Sequence, residues 1–215
     1  MFTINLPNDP KYEYQSMDEV YPNMFVGSFA AAKNSNLLQQ HGITHVVNAT
    51  GSPRSLFPDL TYHFVPIEDT PNVNILQHIP STVDFIHNAL SQNGRVLVHC
   101  MAGISRSASL AIAYIMKTDS LTFEQAFSQV TTKRRIICPN LGFRRQLDIY
   151  HACGFTLDER NTSYRRFTID NMAYVRRSSN LIIGGNVGRY WRAQHDTRLR
   201  TVARYGAEHT VSAEV

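Results

Sequence analysis

The feature that most restricts how this chain can fold is a junction near its middle, where Arg95 to His99 reads as a buried strand and Ser107 to Lys117, rich in Ala, Leu and Ile, as a helix. Only a short glycine-containing turn separates them, so a strand feeds a loop that feeds a helix. The flanks repeat the alternation. Met24 to Ser28, Thr44 to Ala49 and Tyr62 to Ile67 are strand candidates, and a helix is expected from about Ala30 to His41, stopped by Gly42. From Asn74 onward Ile75, Ile79, Val83, Ile86 and Leu90 recur at spacings of four, four, three and four, which predicts a helix with one buried face that Asn93-Gly94 ends. Leu121 to Arg134 and Leu141 to Cys153 read as two closing helices, with Pro139 limiting the first. Alternation of this kind predicts an α/β domain.

After about Phe155 the periodicity fades, although Leu181 to Trp191, centred on Gly184-Gly185-Asn186, reads as a candidate hairpin. Charge divides at the same place. Residues 1–154 carry 11 Lys/Arg against 11 acids, whereas residues 155–215 carry 10 Arg, no Lys and 6 acids. Scattered arginines fit a solvated surface better than a nucleic-acid-binding domain, so no specific nucleic-acid binding is expected. With 43% hydrophobic residues, a chain of 215 has enough apolar material for one sizeable core plus an appendage.

The opening Met1-Phe2-Thr3-Ile4-Asn5-Leu6-Pro7 has neither a basic nor an apolar signal region, and no apolar run approaches spanning length. Neither secretion nor membrane insertion is expected, and neither end carries a lipidation signal. Cys100, Cys138 and Cys153 are too few and too irregularly spaced for a disulfide framework or a zinc site, which predicts an intracellular location, cytoplasmic or nuclear. Oligomeric state has no signature in the sequence.

The informative run is His99-Cys100-Met101-Ala102-Gly103-Ile104-Ser105-Arg106-Ser107. A cysteine at a strand-to-helix junction lies where backbone N–H groups converge and the helix dipole favours negative charge, so the Cys100 thiolate is expected to be stabilised. The same geometry suits phosphate. Gly103 lets the backbone from Met101 through Ala102 and Ile104 to Ser105 turn its amides toward one anion, and Arg106 can return across the loop to hold two phosphate oxygens as a fork.

The spacing Cys-x5-Arg followed by Ser, with His before the cysteine, resembles the signature of the cysteine-dependent protein tyrosine phosphatase superfamily. The longer run His99 to Ser109 is most similar to its dual-specificity branch, in the small atypical form. Ile137-Cys138-Pro139-Asn140-Leu141-Gly142-Phe143-Arg144-Arg145-Gln146-Leu147 resembles the family's Pro-Asn-x-Gly-Phe-x-x-Gln-Leu segment. Tyr21 to Ser28 and His41 to Asn48 resemble its opening strand and helix-to-strand passage. The likeness covers about Asp18 to Gly154. It implies a small, mostly parallel central sheet flanked by helices, a catalytic domain over 18–154 and a basic C-terminal extension over 155–215.

By the same resemblance Cys100 attacks phosphorus to form a phosphocysteine that water then hydrolyses, with no metal or organic cofactor. Arg106 and the loop amides hold the phosphate, His99 orients the loop, and Ser107 donates a hydroxyl to the cysteine sulfur. The leaving oxygen needs a proton from a separate loop, and Asp69, 31 residues before Cys100 in Asp69-Thr70-Pro71, is the expected acid. Glu68 is the competing carboxylate. Asn140 and Gln146 are expected to organise loops and helix starts, Cys138 and Cys153 to be inert, and most other histidines to be surface or core groups.

Met101, Ala102, Ile104 and Ser105 add no positive charge to the loop, which favours phosphoprotein substrates over phosphoinositides or RNA 5′-phosphates. No segment resembles the deep phosphotyrosine-recognition loop of the larger tyrosine-specific enzymes, so phosphotyrosine and phosphoserine or phosphothreonine are both expected. A second reading stays open. Ala30-Ala31-Ala32-Lys33, His41 to His45 and Ala102 to Ala108 also resemble the serine/threonine/tyrosine-interacting pseudophosphatases, which bind phosphoproteins without the cysteine that this chain has.

Overall fold

A computed structural model of the chain describes residues 16–171. The chain divides into two compact units, 1–165 and 166–215. Five strands form one sheet: β1 (Met17–Tyr21), β2 (Met24–Gly27), β3 (His45–Asn48), β4 (Thr61–Phe64) and β5 (Val96–His99), in the order β1-β2-β5-β3-β4. The β1–β2 pair is antiparallel and the rest are parallel, as a mostly parallel α/β sheet requires. β5 is central. It is buried at all four positions, which is why its sequence is a continuous apolar run rather than an alternating one.

Side chains on a strand alternate between faces, so Phe25, Leu97 and Val46, paired in one row, share one face while Val26, Val98 and Val47 share the other. The first row joins a cluster with Met17, Ala31, Ala32, Leu38 and Ile43, which seats α1 (Phe29–Ala32) and α2 (Ser35–Gln40) on that side. The longer helices follow: α3 (Ile79–Ser91), α4 (Arg106–Asp119), α5 (Phe123–Lys133) and α6 (Leu141–Ala152). α4 packs against the other three, and every residue from Ser107 to Met116 is buried. A helix apolar all round belongs at a domain centre, and each buried Leu, Ile or Met contributes roughly 1.5–3 kcal/mol.

Several expectations are corrected in detail. The helix predicted from Ala30 to His41 is two short ones, because Ser28 Oγ caps the first by accepting from the Ala31 N–H (3.2 Å) and Asn34 Oδ1 caps the second by accepting from the Leu37 N–H (3.1 Å). Two N-caps six residues apart cannot serve one helix. The strand expected to run to Ile67 stops at Phe64, although Val65 still donates its N–H to Asn48 O at 2.9 Å. The helix expected from Asn74 opens with a 3₁₀ turn, Leu76–His78, before α3 begins. β1 was not expected. Its register shifts between Glu19 and Tyr21, so its buried residues, Met17 and Val20, are three apart and break the two-residue period that marks a strand.

Residues 162–171 are helical, with Asn161 Oδ1 accepting from the N–H groups of Ser163 (2.9 Å) and Tyr164 (3.3 Å), where periodicity had predicted nothing. The hairpin expected over Leu181 to Trp191 lies outside the described residues. Among the described residues no helix is long and apolar enough to cross a membrane.

Candidate active site

Gly27, His99 and Asn48 stand in one row at the carboxyl ends of β2, β5 and β3, the edge where open parallel sheets place ligands. The chain leaves β5 there and turns immediately. Phe29 donates its N–H to Met101 O (3.1 Å) and Ala49 to His99 O (2.8 Å), which ties the first residues of the turn to both neighbouring strands. Cys100 is buried, and its Sγ accepts from the Gly103 N–H and from Ser107 Oγ, each at 3.3 Å. Both donors point at the sulfur and fix its position in the turn.

Gly103 is required twice over. Its φ is +70°, and a Cβ there would stand 2.7 Å from Arg134 Nη2 and from the Gly27 carbonyl. Arg106 donates from Nη1 to Ile67 O at 3.2 Å, and its buried Nε has no hydrogen-bond partner among the described residues. One side of the guanidinium is thus anchored to the segment that carries Asp69, while the buried Nε–H retains its donor capacity for an anion. Met101 is 56% exposed at the rim, and Ala102 and Ile104 are half-buried.

His99 is fully buried. Its Nδ1 lies 3.4 Å from Cys100 O, an acceptor that favours the proton on Nδ1, and Nε2 has no hydrogen-bond partner among the described residues. Burial, with the Arg106 charge nearby, lowers its pKa to about 4, against the hydrogen bond to Cys100. The imidazole is neutral at pH 7, a spacer behind the loop rather than an acid.

Asp69 is brought to the loop from the other side. Its Oδ1 accepts from Ser105 Oγ (2.7 Å) and from Asn140 Nδ2 (3.0 Å), whereas Glu68 next to it is exposed. Asn140 Oδ1 also caps α6 by accepting from the Phe143 N–H at 3.0 Å. Gly142 lets α6 approach the acid loop, since a Cβ there would come within 1.8 Å of Pro71 O. Gln146 accepts from the Ile75 N–H (2.8 Å) and the Leu76 N–H (3.3 Å), and donates to Val73 O (2.8 Å), which fixes the start of the 3₁₀ turn.

One residue of this site was missed. Arg134, 2% exposed, donates from Nε to Gly103 O (2.9 Å), from Nη2 to Ala102 O (3.5 Å), and from Nη1 to Asp18 Oδ2 (2.5 Å) and Ser16 Oγ (3.3 Å). By drawing the carbonyls of Ala102 and Gly103 to the back of the loop it turns the following amides to the front. The sequence shows only the first arginine of an Arg-Arg pair at a helix end, a pattern ordinarily exposed. Among the described residues no group of His, Cys, Asp or Glu is arranged to hold a metal ion, and all three cysteines are unpaired.

Comparison with known proteins gives a consistent result. Residues 24–153 match the family model described as dual specificity phosphatase, catalytic domain. Over 156 residues the chain is 40% identical to dual specificity protein phosphatase MPK-4 of Drosophila melanogaster, covering 70% of this chain and 40% of that protein. It is 39% identical over 132 residues to dual specificity protein phosphatase 15 of Mus musculus, covering 61% and 56%. The chain thus spans roughly half the length of these curated relatives. Among solved structures it resembles DUSP15, with TM-score 0.63 and 34% identity over 72% of this chain and 96% of that one. It resembles the human tyrosine phosphatase-like serine/threonine/tyrosine-interacting protein about as well, with TM-score 0.62 and 37% identity over 66% and 99%. Similarity this even assigns the chain to neither subgroup.

Proposed function

We propose, from the premise that this chain belongs to the dual specificity phosphatase family, that it hydrolyses phosphotyrosine and phosphoserine or phosphothreonine in proteins through a phosphocysteine on Cys100. The catalytic domain is assigned to residues 18–154, with 155–215 as its basic extension. What carries the reading is a coincidence at one atom. Cys100 Sγ lies in a strand-to-helix turn with two hydrogen-bond donors on it, and Arg106 and Asp69 are held at the same loop.

In the first step the thiolate forms a bond to phosphorus as the bond to the leaving oxygen breaks. The freed electron pair on that oxygen takes a proton from Asp69. Loop amides and Arg106 bear the charge of the transferred group. In the second step Asp69, now a carboxylate, takes a proton from water as water attacks phosphorus, and the sulfur leaves as a thiolate that the Ser107 hydroxyl receives. The uncharged loop side chains Met101, Ala102, Ile104 and Ser105 favour phosphoproteins over more highly charged phosphates.

Turnover of an aryl phosphate, with Cys100→Ser as control, tests this. Activity in the wild type that the substitution abolishes supports the enzyme; activity absent in the wild type, or unchanged in the variant, sinks it. A second reading, a phosphoprotein-binding module with little turnover, draws on the likeness to the interacting protein. That reading predicts binding of phosphopeptide without hydrolysis.

A further inference from the structure

β2 lies on one side of β5, and β3 and β4 lie on the other, so the two flanks of the phosphate loop are built from different segments. On the β2 flank the chain enters α1 directly beside the loop. The Phe29 N–H donates to Met101 O at 3.1 Å, and the Phe29 ring packs 6.2 Å, centroid to centroid, from the ring of His99, the residue before Cys100. One helical turn on, the Lys33 N–H donates to Phe29 O at 3.1 Å, which sets both side chains on one face, and Lys33 Nζ stands 5.0 Å from the centre of the Phe29 ring. An exposed ammonium is thereby held against an aromatic face next to Met101, itself 56% exposed at the rim. Among the described residues no carboxylate pairs with it.

The far flank differs. Glu68 follows β4 and Arg54 follows β3, both exposed and opposite in sign, so neither charge dominates there. We propose that Lys33 is a specificity-determining residue: it selects substrates that carry an acidic side chain on the β2 flank of the phosphorylated residue. This deepens the proposed function and rests on its reading of the chain as a protein phosphatase. Neighbouring strands stand about 4.8 Å apart and an extended peptide advances about 3.3 Å per residue, so the ammonium is reached within roughly two or three residues of the phosphorylated one. The Phe29 ring restricts the long Lys33 side chain beforehand, so less freedom is lost when a carboxylate pairs with it than at an unsupported surface lysine. The contact is remote from the bond that breaks and acts through binding, which places its effect in kcat/KM.

The test uses blocked synthetic heptapeptides with phosphotyrosine, or in a parallel set phosphothreonine, at the centre and serine elsewhere. Glutamate or glutamine replaces serine at each flanking position in turn, and phosphate release is followed. In every enzyme the readout is the ratio of kcat/KM for a glutamate peptide to that for its glutamine counterpart, so a general loss of activity divides out. In the wild type this ratio should reach about three to five on one flank of the phosphorylated residue and stay near one on the other. Lys33→Arg should keep it, Lys33→Gln should bring it near one, and Lys33→Glu should take it below one, with high salt flattening all the differences. A wild-type ratio near one at every position, a ratio unchanged in Lys33→Gln, or one that falls only on replacing the exposed neighbour of Arg134, Arg135→Gln, overturns the role of Lys33 and leaves the phosphatase reading standing. If the wild type releases no phosphate from any of these peptides, the protein phosphatase reading fails, and this inference falls with it.

Discussion

The phosphate loop and the acid apparatus face one another across the same site but are built in opposite ways. Cys100 to Arg106 is one continuous stretch between β5 and α4, and the bonds that shape it around the thiol, Gly103 N–H and Ser107 Oγ to Cys100 Sγ, span three and seven residues. Asp69 is gripped across 36 residues by Ser105 and across 71 by Asn140. A continuous loop inherits its geometry from one strand and one helix, so the rest of the fold has only to hold those two. A dispersed grip exists only when three loops arrive together, and should be more easily disturbed by changes that leave the nucleophile intact.

The largest test of that contrast is on the loop itself. Cys100→Ser should lower kcat/KM on an aryl phosphate by roughly 10⁴-fold or more, because a hydroxyl is far less ionised and less nucleophilic than a thiol in the same cradle. The thermal transition should stay near that of the wild type, since the loop's shape rests on the backbone. A variant that lost activity by unfolding would break the claim that the loop is locally determined.

The next tests how local the loop really is. Arg134→Leu should cost about 3 kcal/mol in urea unfolding, because the buried carbonyl of Gly103 and that of Ala102 lose charged donors, and should weaken inhibition by inorganic phosphate. Asp18→Asn should cost less, since Asp18 is more exposed and Arg134 keeps both carbonyls. If Arg134→Leu leaves stability and phosphate affinity as they are, the loop needs no distant brace and its shape is wholly local.

On the dispersed side, Asp69→Asn should slow hydrolysis of phenyl phosphate by about 10²-fold while a good leaving group loses roughly threefold or less. Equal slowing of both would move the acid elsewhere. The smallest expected effect concerns His99, which joins β5 to the loop. With a folded pKa of about 4 against an ordinary value of 6.5, the unfolded chain binds the proton more readily. Stability is therefore full above pH 6.5 and is lost as pH falls toward 4, by about 2 kcal/mol at pH 5. His45, His63 and His78 are also lowered by burial and act with the same sign, so urea unfolding of wild type and His99→Asn at pH 7.5 and 5.0 isolates the share of His99. A pH slope unchanged by that substitution would remove His99 from the account.

What the amino-acid sequence determined by itself is what can be written within a dozen or so residues. The apolar run of β5, the buried face of α3 and the glycine-containing turn before α4 are local signals, and the Cys-x5-Arg spacing needs only the strand and helix on either side of it. Periods of two and 3.6 act over such windows and carry the fold class with them. The same rule explains the misses. The register shift in β1 hid its period, and two competing side-chain caps cut the helix expected from Ala30 to His41.

Tertiary structure decided the rest. Nothing near Arg134 in the sequence says that it lies beneath Gly103 and beside Asp18, 31 and 116 residues away. Nothing near Ser105 says that its hydroxyl bypasses its own helix for Asp69. Those bonds exist because the order β1-β2-β5-β3-β4 carries Asp18, Asp69, Cys100 and Asn140 to one end of the sheet. A hydrogen bond depends on where its two groups finally stand, which no local window records.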